Sequence, residues 1–239
     1  MQDELLLGII TFFTSTVAGV VGIGGGMMLI AILPSFLPLN ALIPVHGLTQ
    51  MSSNFSRAVF GYKDVQYETI PKFLIGSLAG VALFAAIISM ISLEYVPLFI
   101  GAYILLSLWS QKFNDKIKKY ENYYLVGFLQ SGLSIVVGAT GPLTMTLLLK
   151  DYKDKDKVVA TGAALMSITH ILKVFAFMYF GFVFFDYIGI LVAMIIGAVA
   201  GSWTGTKLRD KINGKKFLFI LKVLLSLLAI KLIVELLIP

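Results

Sequence analysis

The 239-residue chain contains no cysteine, which excludes disulfides, thiolate metal sites, iron–sulfur clusters and a thiol nucleophile. Histidine is nearly as scarce: His46 and His170 are the two present, too few for a histidine-built metal centre. Charge is short as well, at 13% of residues against roughly 25% in a soluble domain, while 58% are hydrophobic. Too few polar side chains remain to coat a water-soluble globule of this size. No Asp or Glu lies deep within an apolar segment, which leaves neither the paired acids of hydrolytic catalysis nor the carboxylates of a cation carrier. An enzymatic role is therefore not expected, nor a bound cofactor or metal. The start, Met1-Gln2-Asp3-Glu4, lacks the basic n-region of a signal sequence, so Leu5 onward is expected to be mature structure. The formal charge of +6 has no basic domain to concentrate it, so nucleic acid is not an expected partner.

What the chain has is apolar segments along its whole length, at 5–19, 24–38, 44–62, 72–91, 95–110, 122–138, 142–150, 158–180, 184–206 and 216–237. Most approach the roughly 20 residues that span a bilayer, so an integral, multi-pass protein with lipid as its surroundings is expected. Of 19 Lys and Arg, 15 lie in or beside four connections: Lys63 and Lys72; Lys112, Lys116, Lys118 and Lys119; Lys150, Lys153, Lys155 and Lys157; Lys207, Arg209, Lys211, Lys215 and Lys216. The positive-inside rule places these four in the cytoplasm. Two spans separate the first from the second, and two the third from the fourth. The pair 122–138 and 142–150 must go in and come back, as a hairpin or re-entrant pair, and so must 5–19 and 24–38. Both termini are then external.

A shift of 116 residues lays Gly22 on Gly138, Gly25 on Gly141, segment 44–62 on 160–178, and Arg57 on Lys173. With a further gap of four or five residues, Gly61 meets Gly181, and Gly76 and Gly80 meet Gly197 and Gly201. One half reads as a diverged copy of the other, inverted because one copy starts outside and the other inside. Inverted repeats allow alternating access around a fixed midplane site. The glycine runs Gly19-Val-Val-Gly22-Ile-Gly24-Gly25-Gly26 and Gly138-Ala-Thr-Gly141-Pro142 break the helix at matching places. Helix N-termini after such breaks offer free N–H groups and a partial positive charge, which suits an anion. Gly76/Gly80 and Gly197/Gly201 read instead as close-packing positions. A dinucleotide-binding reading of Gly22-x-Gly24 lacks the strand–turn–helix unit and the acidic ribose partner.

Four cations lie outside the basic connections. Lys222 and Lys231 are near enough to helix ends to snorkel. Arg57 and Lys173 are deeper, at repeat-related positions and unbalanced by any intramembrane carboxylate, which points to an anion passing between them. His46, Gln50, Asn54, Arg57 and Gly61 share one helical face, and Met166, His170, Lys173 and Phe177 the equivalent face of the second copy. The candidate substrate-binding set is therefore Gln50, Asn54, Arg57, His170 and Lys173 with Gly24, Gly25, Gly26, Thr140, Gly141 and Pro142. His170 is a candidate carrier of coupling protons, since imidazole titrates near neutral pH. His46, at the external end of its helix, reads as interfacial.

The glycine-broken first segment, the Arg57 helix, the Gly76-x-x-x-Gly80 hairpin and the repeated Gly138-Ala-Thr-Gly141-Pro142 element together resemble the sulfite exporter TauE/SafE family, through nearly the whole chain. The fold read from the residues is an all-α integral membrane protein of two inverted-topology repeats, 1–112 and 113–239. Each repeat comprises a glycine-broken helical pair and three transmembrane helices. The resemblance implies transport of sulfite, thiosulfate, an organosulfonate or a related anion across the cytoplasmic membrane, with a passive small-anion channel as the alternative. The expected partners are the small anion and lipid, with coupling protons and a homo-oligomeric assembly left open.

Overall fold

Apolar length makes α1 (Gln2–Val21) a helix, and the chain leaves it where Gly22 and Gly24 take φ of 85° and 92°, a left-handed backbone that side chains disfavour. It re-enters as the short α2 (Gly25–Ile32), which lies so close to α1 that any side chain on Gly25 would overlap the Thr14 carbonyl. After Pro38 comes α3 (Leu39–Phe60), then α4 (Ile70–Ile88) and α5 (Val96–Trp109). The same order follows in the second half. Helix α6 (Tyr123–Val137) is capped by the Asn122 side chain, which accepts from Tyr124 N at 2.9 Å, and ends at Gly138 with φ 80°. Then come α7 (Pro142–Asp151), α8 (Lys155–Tyr179, capped by Asp154), α9 (Ile188–Leu208) and α10 (Gly214–Leu237).

This is a computed structural model that describes residues 2–88, 92–112, 115, 122–212 and 214–237, and every regular element among them is helical. Met1, Lys116, Lys118, Lys119 and Pro239 lie outside the described residues, as does residue 113, where the second half was expected to begin. The side chains of Lys215 and Lys216 are outside them too. Four helical stretches are long and apolar enough to cross a membrane: Gln2–Val21, Tyr67–Ile88, Lys155–Tyr179 and Phe184–Leu208. Gly25–Ser35, Val96–Trp109 and Tyr123–Val137 are apolar but shorter.

Two tight seams hold the bundle together. In one, α9 lies on α1 with Gly197, Gly201 and Gly205 against the carbonyls of Gly8, Phe12 and Thr16. In the other, α4 lies on α6 with Gly76 and Gly80 against the carbonyls of Tyr124 and Phe128. Each contact is backbone against backbone, as expected where lipid removes the hydrophobic drive and van der Waals approach decides packing. The four glycines read as packing positions therefore pack. Helices α3 and α8 lie against each other between the seams, and α5 pairs with α10.

A buried hydroxyl cluster crosses each seam to the central helices. Ser53 of α3 donates to Ser15 of α1 at 3.0 Å and lies 3.1 Å from Ser202 of α9. Ser131 of α6 donates to Ser77 of α4 at 2.9 Å and lies 2.9 Å from Thr169 of α8.

Three of the basic connections, around residues 63–72, 150–157 and 207–211, meet at one end. Gln66 N donates to Thr161 at 3.0 Å, Tyr152 Oη to Glu68 at 2.9 Å, and Lys155 Nζ to the Arg209 carbonyl at 3.0 Å; Arg209 also pairs with Asp156. Burial and the Glu68 carboxylate push the Tyr152 phenol up to about 12, so it stays a donor through the physiological range. Tyr123 at the start of α6 donates to Asp151 at the end of α7 at 2.7 Å, so this pair returns to the end it left, as expected for 122–150. Lys222 lies 3.8 Å over the Trp109 ring, and Lys231 bonds Ser35 at 3.1 Å and pairs with Glu235, so both serve helix ends.

Candidate substrate site

Between the two breaks and the helices α3 and α8 lies a small cavity, with about 30 Å³ of room for a water-sized molecule. Its wall includes Gln50, Asn54 and Arg57 from α3, His170 from α8, Gly24, Gly25 and Gly26 from the first break, and Thr140, Gly141 and Pro142 from the second. The structure thus brings together every candidate site residue but Lys173. Among the described residues, no carboxylate lines it.

Arg57, in the last turn of α3, is 2% exposed. One of its terminal nitrogens donates to Asn54 Oδ1, while Nε and Nη1 have no hydrogen-bond partner. Asn54 is itself held, its Nδ2 donating to the Gln50 carbonyl at 2.7 Å, so it orients the guanidinium and has little left for a ligand. Gln50 Nε2 is buried and unpartnered as well. A buried donor left unpaired costs about 1–3 kcal/mol, more when charged, so these N–H groups around an acid-free cavity form a site an anion would complete.

Lys173 stands one step back. It is fully buried, with its stem against Gly47 and its ammonium donating to the Gly138 carbonyl, the residue that ends α6. A cation there offsets the negative end of the helix dipole and occupies a carbonyl freed by the break. Arg209 does the same for α1, its Nε donating to Gly19 O at 3.1 Å. Position in sequence marked Lys173 as deep but could not say which polar group it would meet.

His46 corrects the interfacial reading: it is fully buried and lines the cavity. The short α2 covers it, and its Nε2 donates to the Gly26 carbonyl at 2.9 Å. Its ring meets that of His170 edge to face at 5.7 Å between centroids. Sequence spacing put His46 on the face of Arg57, but the covering helix is a tertiary feature.

Gln130 of α6 was not singled out from sequence. It is fully buried, and its Oε1 accepts from Thr144 N at 3.1 Å and from the Thr144 hydroxyl, clamping the first turn of α7. Its Nε2 donates to Thr169 at 3.3 Å, and its carbonyl accepts from Thr140 at 2.9 Å. An amide inside an apolar segment was the signal available. The first break has no such clamp: Thr14, a 116-residue shift from Gln130, bonds back to its own helix at Thr11 O, 3.2 Å.

Ile23 of the first break packs on the cluster of Met145, Leu148 and Val158, beside the basic connections. Ala139 of the second break, one 116-residue shift away, belongs instead to the cluster built around Leu29, Ile30 and Leu33.

Compared with known families, the chain matches the model described as sulfite exporter TauE/SafE over residues 7–232. No curated protein and no solved structure matches it.

Proposed function

The chain belongs to the sulfite exporter TauE/SafE family of membrane transport proteins, and from that premise we propose that it is a secondary transporter moving a small sulfur oxyanion, such as sulfite, thiosulfate or an organosulfonate, by alternating access. The single observation that carries the anion reading is Arg57: a buried guanidinium with Nε and Nη1 unpaired, facing a cavity without a carboxylate. An oxyanion accepts from Arg57 and Gln50 Nε2, with the positive ends of α2 and α7 behind it. Lys173 adds its charge from behind the second break.

Alternating access rests on an inverted repeat, and three features support that reading. The seams exchange partners: the first helix of each half packs on the fourth of the other. The 116-residue shift that carries Gly22 to Gly138, both with positive φ, also carries the Gly8 and Phe12 carbonyls to those of Tyr124 and Phe128. Ile23 and Ala139, equivalent by the same shift, line the one cavity but pack on different clusters. By the positive-inside rule the end bearing the basic connections is cytoplasmic and the termini are external.

Flux of labelled sulfite, thiosulfate and a sulfonate in proteoliposomes tests the proposal. Selective flux of one anion, abolished in Arg57→Gln, is the expected result. Flux of none, or an unimpaired variant, overturns the anion reading or the site.

A further inference from the structure

The ring of His46 is fixed more tightly than its role in the wall requires. Its Nε2 lies 2.9 Å from the Gly26 carbonyl, and a carbonyl oxygen can only accept, so the proton is on Nε2. In the neutral ring Nδ1 is then a bare lone pair. That Nδ1 is buried and has no hydrogen-bond partner, and the same is true of His170 Nδ1. The charged and titratable groups around His46 are Lys173 and His170 from α8 and Arg57 from its own helix. Among the described residues, α2 and the second break bring it none, only Gly26 and Gly138.

An anion oxygen and a bare lone pair repel. With Nε2 committed to Gly26, the neutral His46 ring has no second N–H to offer an anion. The only form that presents an N–H to an anion is the imidazolium. Conversely, a third cation buried beside Arg57 and Lys173 is sustained only when an anion is present to receive it.

Resting on the anion-transport reading above, we infer that His46 is the coupling-proton site: it takes up one proton at Nδ1 as the anion binds and gives it back as the anion leaves. The proton arrives with the anion as its conjugate acid: the acid's O–H bond breaks as the Nδ1–H bond forms, and the reverse transfer accompanies release. His170 meets the His46 ring edge to face. Anion and proton then cross in the same direction, and a pH gradient drives anion accumulation.

With two histidines in the chain, selective ¹⁵N-histidine labelling of the intact protein gives two ring systems to resolve by NMR. Without anion at neutral pH, one ring should be the neutral Nε2–H tautomer, and adding sulfite should convert it to imidazolium. His46→Gln, whose amide can still donate to Gly26, identifies the signal. In proteoliposomes carrying a pH dye, sulfite flux should move protons with it. In His46→Gln, pH-driven accumulation should be lost, with sulfite–sulfite exchange surviving at reduced rate. Sulfite transport by the wild type without proton movement, or a His46 ring that stays neutral in the sulfite-bound protein, overturns the coupling site and leaves the transporter standing. Absence of both sulfite binding and flux for any of the three anions sinks the transporter reading itself.

Discussion

Arg57 is gripped from one side only. Asn54 takes one terminal nitrogen, and Nε and Nη1 are left for a ligand. Arg57→Lys keeps the charge and loses the fork, so it separates geometry from electrostatics. Losing one charge-assisted hydrogen bond, at about 1.5–3 kcal/mol, predicts a rise in KM on the order of 10- to 100-fold. A KM within a factor of two of wild type in the same flux assay would place the anion elsewhere. Gln130→Glu is the complementary change. The carboxylate still accepts from Thr144 N and its hydroxyl, so the clamp on α7 survives, but a negative charge enters the wall. We expect a folded protein, judged by thermal unfolding in detergent, that neither binds nor moves sulfite. At this scale the residue types were legible and their partners were not. The spacing of Gln50, Asn54 and Arg57 fixed a shared face, because helical periodicity is local. It could not foretell that Lys173 would meet the Gly138 carbonyl or that α2 would bury His46, since both are contacts between distant elements.

Among the elements, the seams and the breaks use glycine for different reasons. Gly76, Gly80, Gly197 and Gly201 have no side chain because a neighbouring carbonyl occupies the space. Gly22 and Gly138 have positive φ, which only glycine adopts freely. Gly80→Ala and Gly201→Ala should therefore force their helices apart, at about 1–3 kcal/mol each. Lower thermal stability in detergent, with KM unchanged in the protein that survives, is the expected outcome. A variant as stable as wild type would mean that the seam is looser than the carbonyl contacts imply. Gly138→Ala acts differently, since strain at the break also moves the carbonyl that Lys173 holds. A loss of anion affinity beyond any loss of stability is expected there, measured by binding and unfolding on the same preparation. The sequence distinguished these two glycine classes from pattern alone: i and i+4 spacing inside a long apolar run on one hand, clustered glycines between short runs on the other. The hydroxyl clusters of Ser15, Ser53 and Ser202 and of Ser77, Ser131 and Thr169 were not foreseen. Serine in an apolar segment is common, and only the packing of three helices shows that these six meet.

Across the whole molecule, the question is whether the two halves move against each other. A carrier opens one end of the cavity while closing the other; a channel opens both. Ile23 and Ala139 are suited to tell these apart, because they lie one 116-residue shift apart, line the same cavity and pack on different clusters. The chain has no cysteine, so Ile23→Cys and Ala139→Cys introduce the sole thiol without any background substitution. In oriented vesicles, an impermeant thiol reagent should reach position 23 from the face bearing the basic connections and position 139 from the other. Saturating sulfite on one side shifts the population between the two states only if it binds them unequally. Under that shift the two labelling rates should move in opposite directions, one rising as the other falls. Rates that rise together would identify a continuous pore, and rates indifferent to sulfite would remove the cavity from the transport path. The reciprocal result also bears on the coupling site: in His46→Gln, sulfite should still bias the two rates, while an imposed pH gradient without sulfite should bias neither.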